Sequence, residues 1–336
     1  MRNYSIPAIG ILLMASSTAP LTSMPQDSGG VGTIDRLDPA FDQLLPKDAK
    51  IEKVAGGFTF TEGPLWRPDG TLWFSDVVGN MIRSVTPAGK VTVLIPNSGG
   101  VSTARPGSYI GSNGLAADKD GAVLACQHQN RAIARISKDL KMTPYIEKFE
   151  GQRLNSPNDL VYRSDGALFF TDPPFGLSRG DTDPAKELKF NAVFAYINGK
   201  LTPIVKDLDR PNGIGFSPDQ KTMYVSNAGQ KRYWMKYDVA KDGTVSNAKM
   251  LFDVSTEKNT GLPDGLKVDS KGNLWGTGPG GVWVFSPEGK HLGTIKPPEG
   301  PANCAWGDDG KTLYMTAVTG VYRIKTAVAG EKPLYK

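Results

Sequence analysis

The 336-residue sequence is poor in the side chains on which many enzymes rely: it holds two cysteines and two histidines. Two thiols, Cys126 and Cys304, cannot build a disulfide framework. Each lies in an apolar stretch, so they read as buried free thiols, one bridge being the alternative in an exported chain. With so few soft ligands, a zinc or copper site is disfavoured. A Ser-His-Asp hydrolase is no better served, since the chain has no Gly-x-Ser-x-Gly elbow and a choice of only His128 or His291 as base. Neither a P-loop nor a dinucleotide fingerprint is present; Gly278-Pro-Gly-Gly281 lacks the spacing. Excess charge of one sign is small, 39 Lys and Arg against 34 Asp and Glu, and the signs are mixed along the chain. The one basic cluster, Lys231–Arg232 with Lys236, does not make a nucleic-acid surface, so no such partner is expected.

Long apolar runs are missing as well. The longest candidate, Ile6–Met14, is interrupted by Pro7 and Gly10 and is too short to span a bilayer. It follows Met1-Arg2 and precedes the small residues Ala15–Ala19, the layout of a secretory signal peptide over residues 1–23. An uncleaved anchor or tail is the alternative. Residues 24–45 read as a polar leader or linker. The expectation is an exported protein, periplasmic or secreted, with no membrane attachment once the signal is removed.

What the chain has in plenty is glycine, 39, and proline, 25. So many breakers would cut helices short and suit an all-β fold of many tight turns. The turns belong to a repeat. Six segments share one pattern of turn, short strand, Asp-Gly or a relative, and second strand: Glu62–Asp76, Ser112–Cys126, Pro157–Asp172, Pro211–Ser226, Pro263–Gly276 and Ala302–Thr316. Asp-Gly is the strongest short hairpin signal. Third strands follow, such as Ala132–Ile136, Val193–Ile197 and Gly281–Phe285, and fourth strands such as Lys90–Ile95 and Lys200–Val205. Four antiparallel strands per copy are a propeller blade, so residues 46–330 are expected to form one six-bladed β-propeller. The sixth copy lacks a fourth strand, and Ile51–Gly57 is a spare one. It is expected to complete the last blade, closing the ring from the N-terminal side and leaving no open edge.

The residue just before the first strand of each copy is Glu62, Asn113, Asn158, Asn212, Asp264 and Asn303, at spacings of 51, 45, 54, 52 and 39. In a closed ring, equivalent positions converge on the axis. Two carboxylates and four amides there are hard oxygen donors of the kind that suit one Ca²⁺ in the central channel, with Zn²⁺, Mn²⁺ or Mg²⁺ as alternatives. Asn or Asp before a strand also caps turns through its own backbone. Two carboxylates on one axis, however, repel unless a cation separates them. The loops after each second strand surround the same mouth, which brings in His128 and Asp172. His291 lies far from the axis and receives no role.

The chain resembles the gluconolactonase and senescence marker protein 30 family of six-bladed propellers over roughly residues 45–326, and is similar above all to exported bacterial gluconolactonases. The likeness rests on Thr61-Glu-Gly-Pro64, Gly111-Ser-Asn-Gly114, Asn155-Ser-Pro-Asn-Asp159, Thr171-Asp-Pro-Pro-Phe-Gly176, Arg210-Pro-Asn-Gly213 and Leu262-Pro-Asp-Gly265, in order and at blade spacing. The resemblance implies metal ligands at Glu62, Asn212 and Asp264, with Asn158 a fourth ligand or a substrate contact, and makes Asp159 a site neighbour. Animal members carry an arginine two residues before the position of Asn158; here it is Ser156, so sugar specificity does not transfer.

The activity so implied is metal-dependent hydrolysis of small cyclic esters, above all aldonolactones such as glucono-1,5-lactone. The cation would act as a Lewis acid on the carbonyl. Asp264 is the candidate general base, Asn158 orients the carbonyl or a hydroxyl, and His128 is a candidate proton shuttle. Asn113, Asn158, Asp159 and Asp172 are candidate substrate contacts. The partner is thus a small lactone, and the oligomer a monomer or dimer. Alternatives are the same site acting on a phosphotriester or another lactone, and a non-catalytic propeller that binds a sugar or a partner.

Overall fold

A computed structural model describes residues 30–100, 109–118 and 120–331; the signal peptide expected over 1–23 lies outside them. Each repeat becomes an antiparallel sheet, and the six sheets form a six-bladed β-propeller. The first strands of the blades are Thr61–Trp66, Ser112–Ala117, Leu160–Tyr162, Pro211–Phe216, Leu266–Val268 and Pro301–Gly307. They contact one another from blade to blade around the axis. Their burial declines outward as a propeller requires: Pro211–Phe216 is buried throughout, whereas the fourth strand of the same blade, Val245–Asp253, is mostly exposed.

Side chains between adjacent sheets form the core. Phe169 of the third blade meets Phe216 of the fourth edge to face, centroids 4.9 Å apart, and burying each such ring contributes about 1.5–3 kcal/mol. Cys126 and Cys304 are free and buried, as read from their apolar surroundings. His291 stacks on Trp283 with centroids 4.2 Å apart, away from the axis.

The N-terminal region differs from the sequence expectation in one part. Strand β1 (Thr33–Arg36), inside the stretch read as a leader, pairs with the outer strand His291–Lys296 and gives the fifth blade five strands. The short 3₁₀ turn Pro39–Gln43 follows, capped by the Asp38 carboxylate, and Phe41, Leu44 and Leu45 are buried beside Trp275 and Trp306. Arg36 staples the segment, donating to Asp42 Oδ1 at 2.7 Å and to the carbonyls of Leu45 and Pro46. Residues 31–45 are therefore part of the domain rather than a linker, because three apolar side chains in an otherwise polar stretch find a core to enter. The next strand, β2 (Glu52–Gly56), behaves as expected: it pairs with Gly320–Lys325 and closes the sixth blade. Among the described residues, no helix is long and apolar enough to cross a membrane.

Candidate active site at the channel mouth

The six ring residues stand at the mouth because each blade opens there, and a register shift follows the position in four blades, between Glu62 and Leu65, Ser112 and Leu115, Pro211 and Ile214, and Pro301 and Asn303. Such bulges turn a side chain out of the ladder. Glycine then lets the blades close in. A Cβ on Gly213 would lie 2.3 Å from the Asp264 carbonyl oxygen, and one on Gly265 would lie 1.9 Å from the Asn303 side chain. Larger residues at either place would push neighbouring ring residues apart.

The side chains interlock. Asn113 Nδ2 donates to Asn158 Oδ1 at 2.8 Å, and Asn158 Nδ2 donates to Asn212 Oδ1. Asp264 interacts with the Asn212 amide and with the Glu62 carboxyl. Asn303 Nδ2 donates to Glu62 Oε2 at 3.0 Å, as does the Gly63 N–H at 2.6 Å. All six candidates thus meet at one place, most of them almost inaccessible: Glu62 is 1% exposed and Asn158 3%.

Crowding of acids dominates the electrostatics. Burial pushes Glu62 up to about 7, with the Asp159 charge adding to the rise. Asp264 is driven well above the usual carboxylate range by burial and by repulsion from Glu62 and Asp159. Burial also raises Asp159. Its Oδ1 accepts from the Leu160 N–H at 2.9 Å, while Oδ2, like Asn113 Oδ1, is buried without a hydrogen-bond partner. Among the described residues, no group of three or more His, Cys, Asp or Glu is placed to hold a metal ion. A cation would therefore combine Glu62 and Asp264 with the amide oxygens of Asn158 and Asn212. That all-oxygen set, with two acids held close against their own repulsion, fits a hard divalent ion.

Two candidates are used differently from the sequence expectation. His128 is 1% exposed, and burial pushes it down to about 4, so near neutral pH it is uncharged. Its Nε2 lies 3.2 Å from Asn158 Oδ1 and 3.4 Å from Asn113 Nδ2. An amide oxygen only accepts, so the imidazole N–H points at Asn158 and fixes its amide; the geometry is that of an orienting group rather than of a proton shuttle. Asp172 is fully buried, and both its oxygens are occupied: Oδ2 accepts from Asn155 N at 2.8 Å and Oδ1 from Ser156 N at 2.7 Å. Burial raises it to about 7 despite these bonds. It holds the loop that carries Asn158 and Asp159, which leaves no oxygen for a substrate. Ser156 is also buried; its Oγ accepts from the Gly176 N–H at 2.7 Å.

Two site neighbours were not singled out by sequence. Lys267 donates to the Leu266 carbonyl at 2.9 Å and to Asn303 Oδ1 at 3.4 Å. Tyr109 stands at the rim, edge to face with Phe60 at 5.3 Å and within electrostatic reach of Asp264. Aligning the six copies would have marked Lys267, because the other blades have Leu65, Ala116, Val161, Gly215 and Trp306 three residues after the ring position. Tyr109 precedes its blade and falls outside the repeat.

Comparison with known proteins agrees with this arrangement. A family model described as SMP-30/gluconolactonase/LRE-like region matches residues 60–319. A gluconolactonase of Zymomonas mobilis is 33% identical over 97% of this chain and 95% of its own. A pentonolactonase of Haloferax volcanii is 27% identical over 77% of this chain and 81% of its own. Among solved structures, a gluconolactonase from Xanthomonas campestris superposes with a TM-score of 0.79 at 30% identity, covering 92% of this chain and 99% of that one.

Proposed function

The chain belongs to the SMP-30/gluconolactonase/LRE-like family, and we propose that it is a divalent-metal-dependent lactonase that opens aldonolactones such as glucono-1,5-lactone. One observation carries this reading: the buried carboxyls of Glu62 and Asp264 meet on the axis among amide oxygens. An interaction propeller has no use for two repelling acids there. The names of the relatives supply the substrate class.

Glu62, Asn158, Asn212 and Asp264 would hold the cation, Ca²⁺ being the best match to an all-oxygen set and Zn²⁺, Mn²⁺ and Mg²⁺ the alternatives. When bound, it supplies Lewis-acid polarisation of the lactone carbonyl. The protein's own groups do the rest. Asn158, its amide oxygen pinned by Asn113 and His128, keeps one orientation. Asn113 Oδ1, buried and unpartnered, can accept from a ring hydroxyl. Asp264 takes a proton from water as the new C–O bond forms. It returns that proton to the ring oxygen as the ester C–O bond breaks, so the product is the open-chain hydroxy acid. Ser156 is spent on Gly176, so the sugar is gripped without a guanidinium and by amides instead. The reading also places the enzyme outside the cytoplasm, exported on residues 1–23, which cell fractionation tests.

Proton release in a pH-stat, across a panel of lactones, tests the activity. Glucono-1,5-lactone hydrolysis is expected, and Asp264→Asn should lower kcat by at least about 10²-fold, the usual scale of a general base. A folded Asp264→Asn variant that keeps the wild-type rate removes Asp264 from the chemistry.

A further inference from the structure

Two side chains break the ring's pattern with opposite charges. The residue after the ring position is glycine in four copies, Gly63, Gly114, Gly213 and Gly265, and Cys304 in the sixth; in the third it is Asp159. Three residues after the ring position the other copies are uncharged, but the fifth has Lys267. Asp159 is 4% exposed, and its Oδ2 has no hydrogen-bond partner. The Lys267 ammonium donates to Asn303 Oδ1, whose Nδ2 donates to Glu62 Oε2, so it stands one amide away from Glu62. Its field acts on both Glu62 and Asp159.

Buried charges are costly unless paired. Around the ring, Glu62, Asp159 and Asp264 bring three negative charges and Lys267 one positive, −3 + 1 = −2. We infer that Lys267 is the fixed counter-charge of the channel, balancing Asp159 so that the site presents the −2 that one divalent cation neutralises. The inference rests on the metal-dependent reading above. It assigns the choice of ion charge to a residue that does not touch the ion. An oxygen-lined ring without that ammonium would present −3 and favour a trivalent ion.

The test is calorimetric titration of metal-stripped full-length protein with Ca²⁺ and, separately, Tb³⁺, reading the ratio of the two dissociation constants. Lys267→Met should shift that ratio toward Tb³⁺ by at least about tenfold, the scale of one unit charge across a partly screened site. Asp159→Asn should shift it the opposite way. The double variant, again at −2, should return to within about threefold of wild type, which loss of packing could not do. If Lys267→Met does not fold, Asp159→Asn carries the test through its opposite shift. A ratio unmoved by either substitution, or a double variant that does not return, overturns the inference while leaving the metal-dependent reading intact. A wild-type protein that binds neither ion overturns both.

Discussion

Glu62 and Asp264 are forced together before any ion arrives, and this has a consequence for stability. Glu62 and Asp172 each sit near 7 in the folded protein, raised by burial, against about 4 in an unfolded chain. Between those values the folded state binds more protons than the unfolded one, so stability falls as pH rises through that window. The metal-free protein should melt higher at pH 5.5 than at pH 8. Excess Ca²⁺ should flatten the difference, because it favours ionised Glu62 and Asp264. Melting curves in EDTA and in Ca²⁺ check this; equal slopes in both would mean that no ion meets these acids. His128 yields a second expectation at this scale. Held near 4 by burial, it supplies no limb to the rate profile near neutrality. His128→Gln should lower kcat/KM by about tenfold through loss of Asn158 orientation, a cost of the order of one hydrogen bond to a working group, and leave the shape of the pH profile between 6 and 8 unchanged. Loss of a limb there would restore His128 as a shuttle.

At the scale of elements, the end of the second strand clamps the loop that leads into the first. Asp76 Oδ1 accepts from the N–H groups of Thr59 and Phe60, Asp172 accepts from those of Asn155 and Ser156, and Asn227 Oδ1 accepts from that of Arg210. One device thus recurs in three blades, holding the approach to Glu62, Asn158 and Asn212. Asp172→Ala should lower kcat at nearly unchanged KM and also lower Tm, because it frees the loop bearing Asn158 without removing a substrate contact; a rise in KM alone would contradict the clamp. The other element to test is the N-terminal strap. Phe41→Ala, emptying a fully buried site beside the fifth and sixth blades, should cost about 3–5 kcal/mol by denaturant unfolding, with kcat unaffected. A loss under 1 kcal/mol, on that same scale, would mean that β1 and its turn are dispensable.

Across the whole molecule, the ring was legible in the sequence because it is periodic. The six turn-strand-Asp-Gly copies, the spare strand that became β2, and the convergence of Glu62, Asn158, Asn212 and Asp264 all follow from repetition around an axis. What was not legible lacks a period. Strand β1, Thr-Ile-Asp-Arg, is short and half polar, and it pairs with residues some 250 positions away. The uses of His128 and Asp172 depend on how deeply each is buried and on which backbone amides it meets, neither of which spacing encodes. Lys267 stood in the sequence as a departure from the pattern, visible only when the copies are set side by side. The account as a whole stands on an ion shared by Glu62 and Asp264. Its most direct test is glucono-1,5-lactone hydrolysis in a pH-stat after exhaustive EDTA treatment and again after Ca²⁺, Zn²⁺, Mn²⁺ or Mg²⁺ is returned. Activity should be lost with the metal and recovered with at least one ion in the wild type but not in Asp264→Asn. Hydrolysis that continues undiminished in the stripped, folded protein would contradict it.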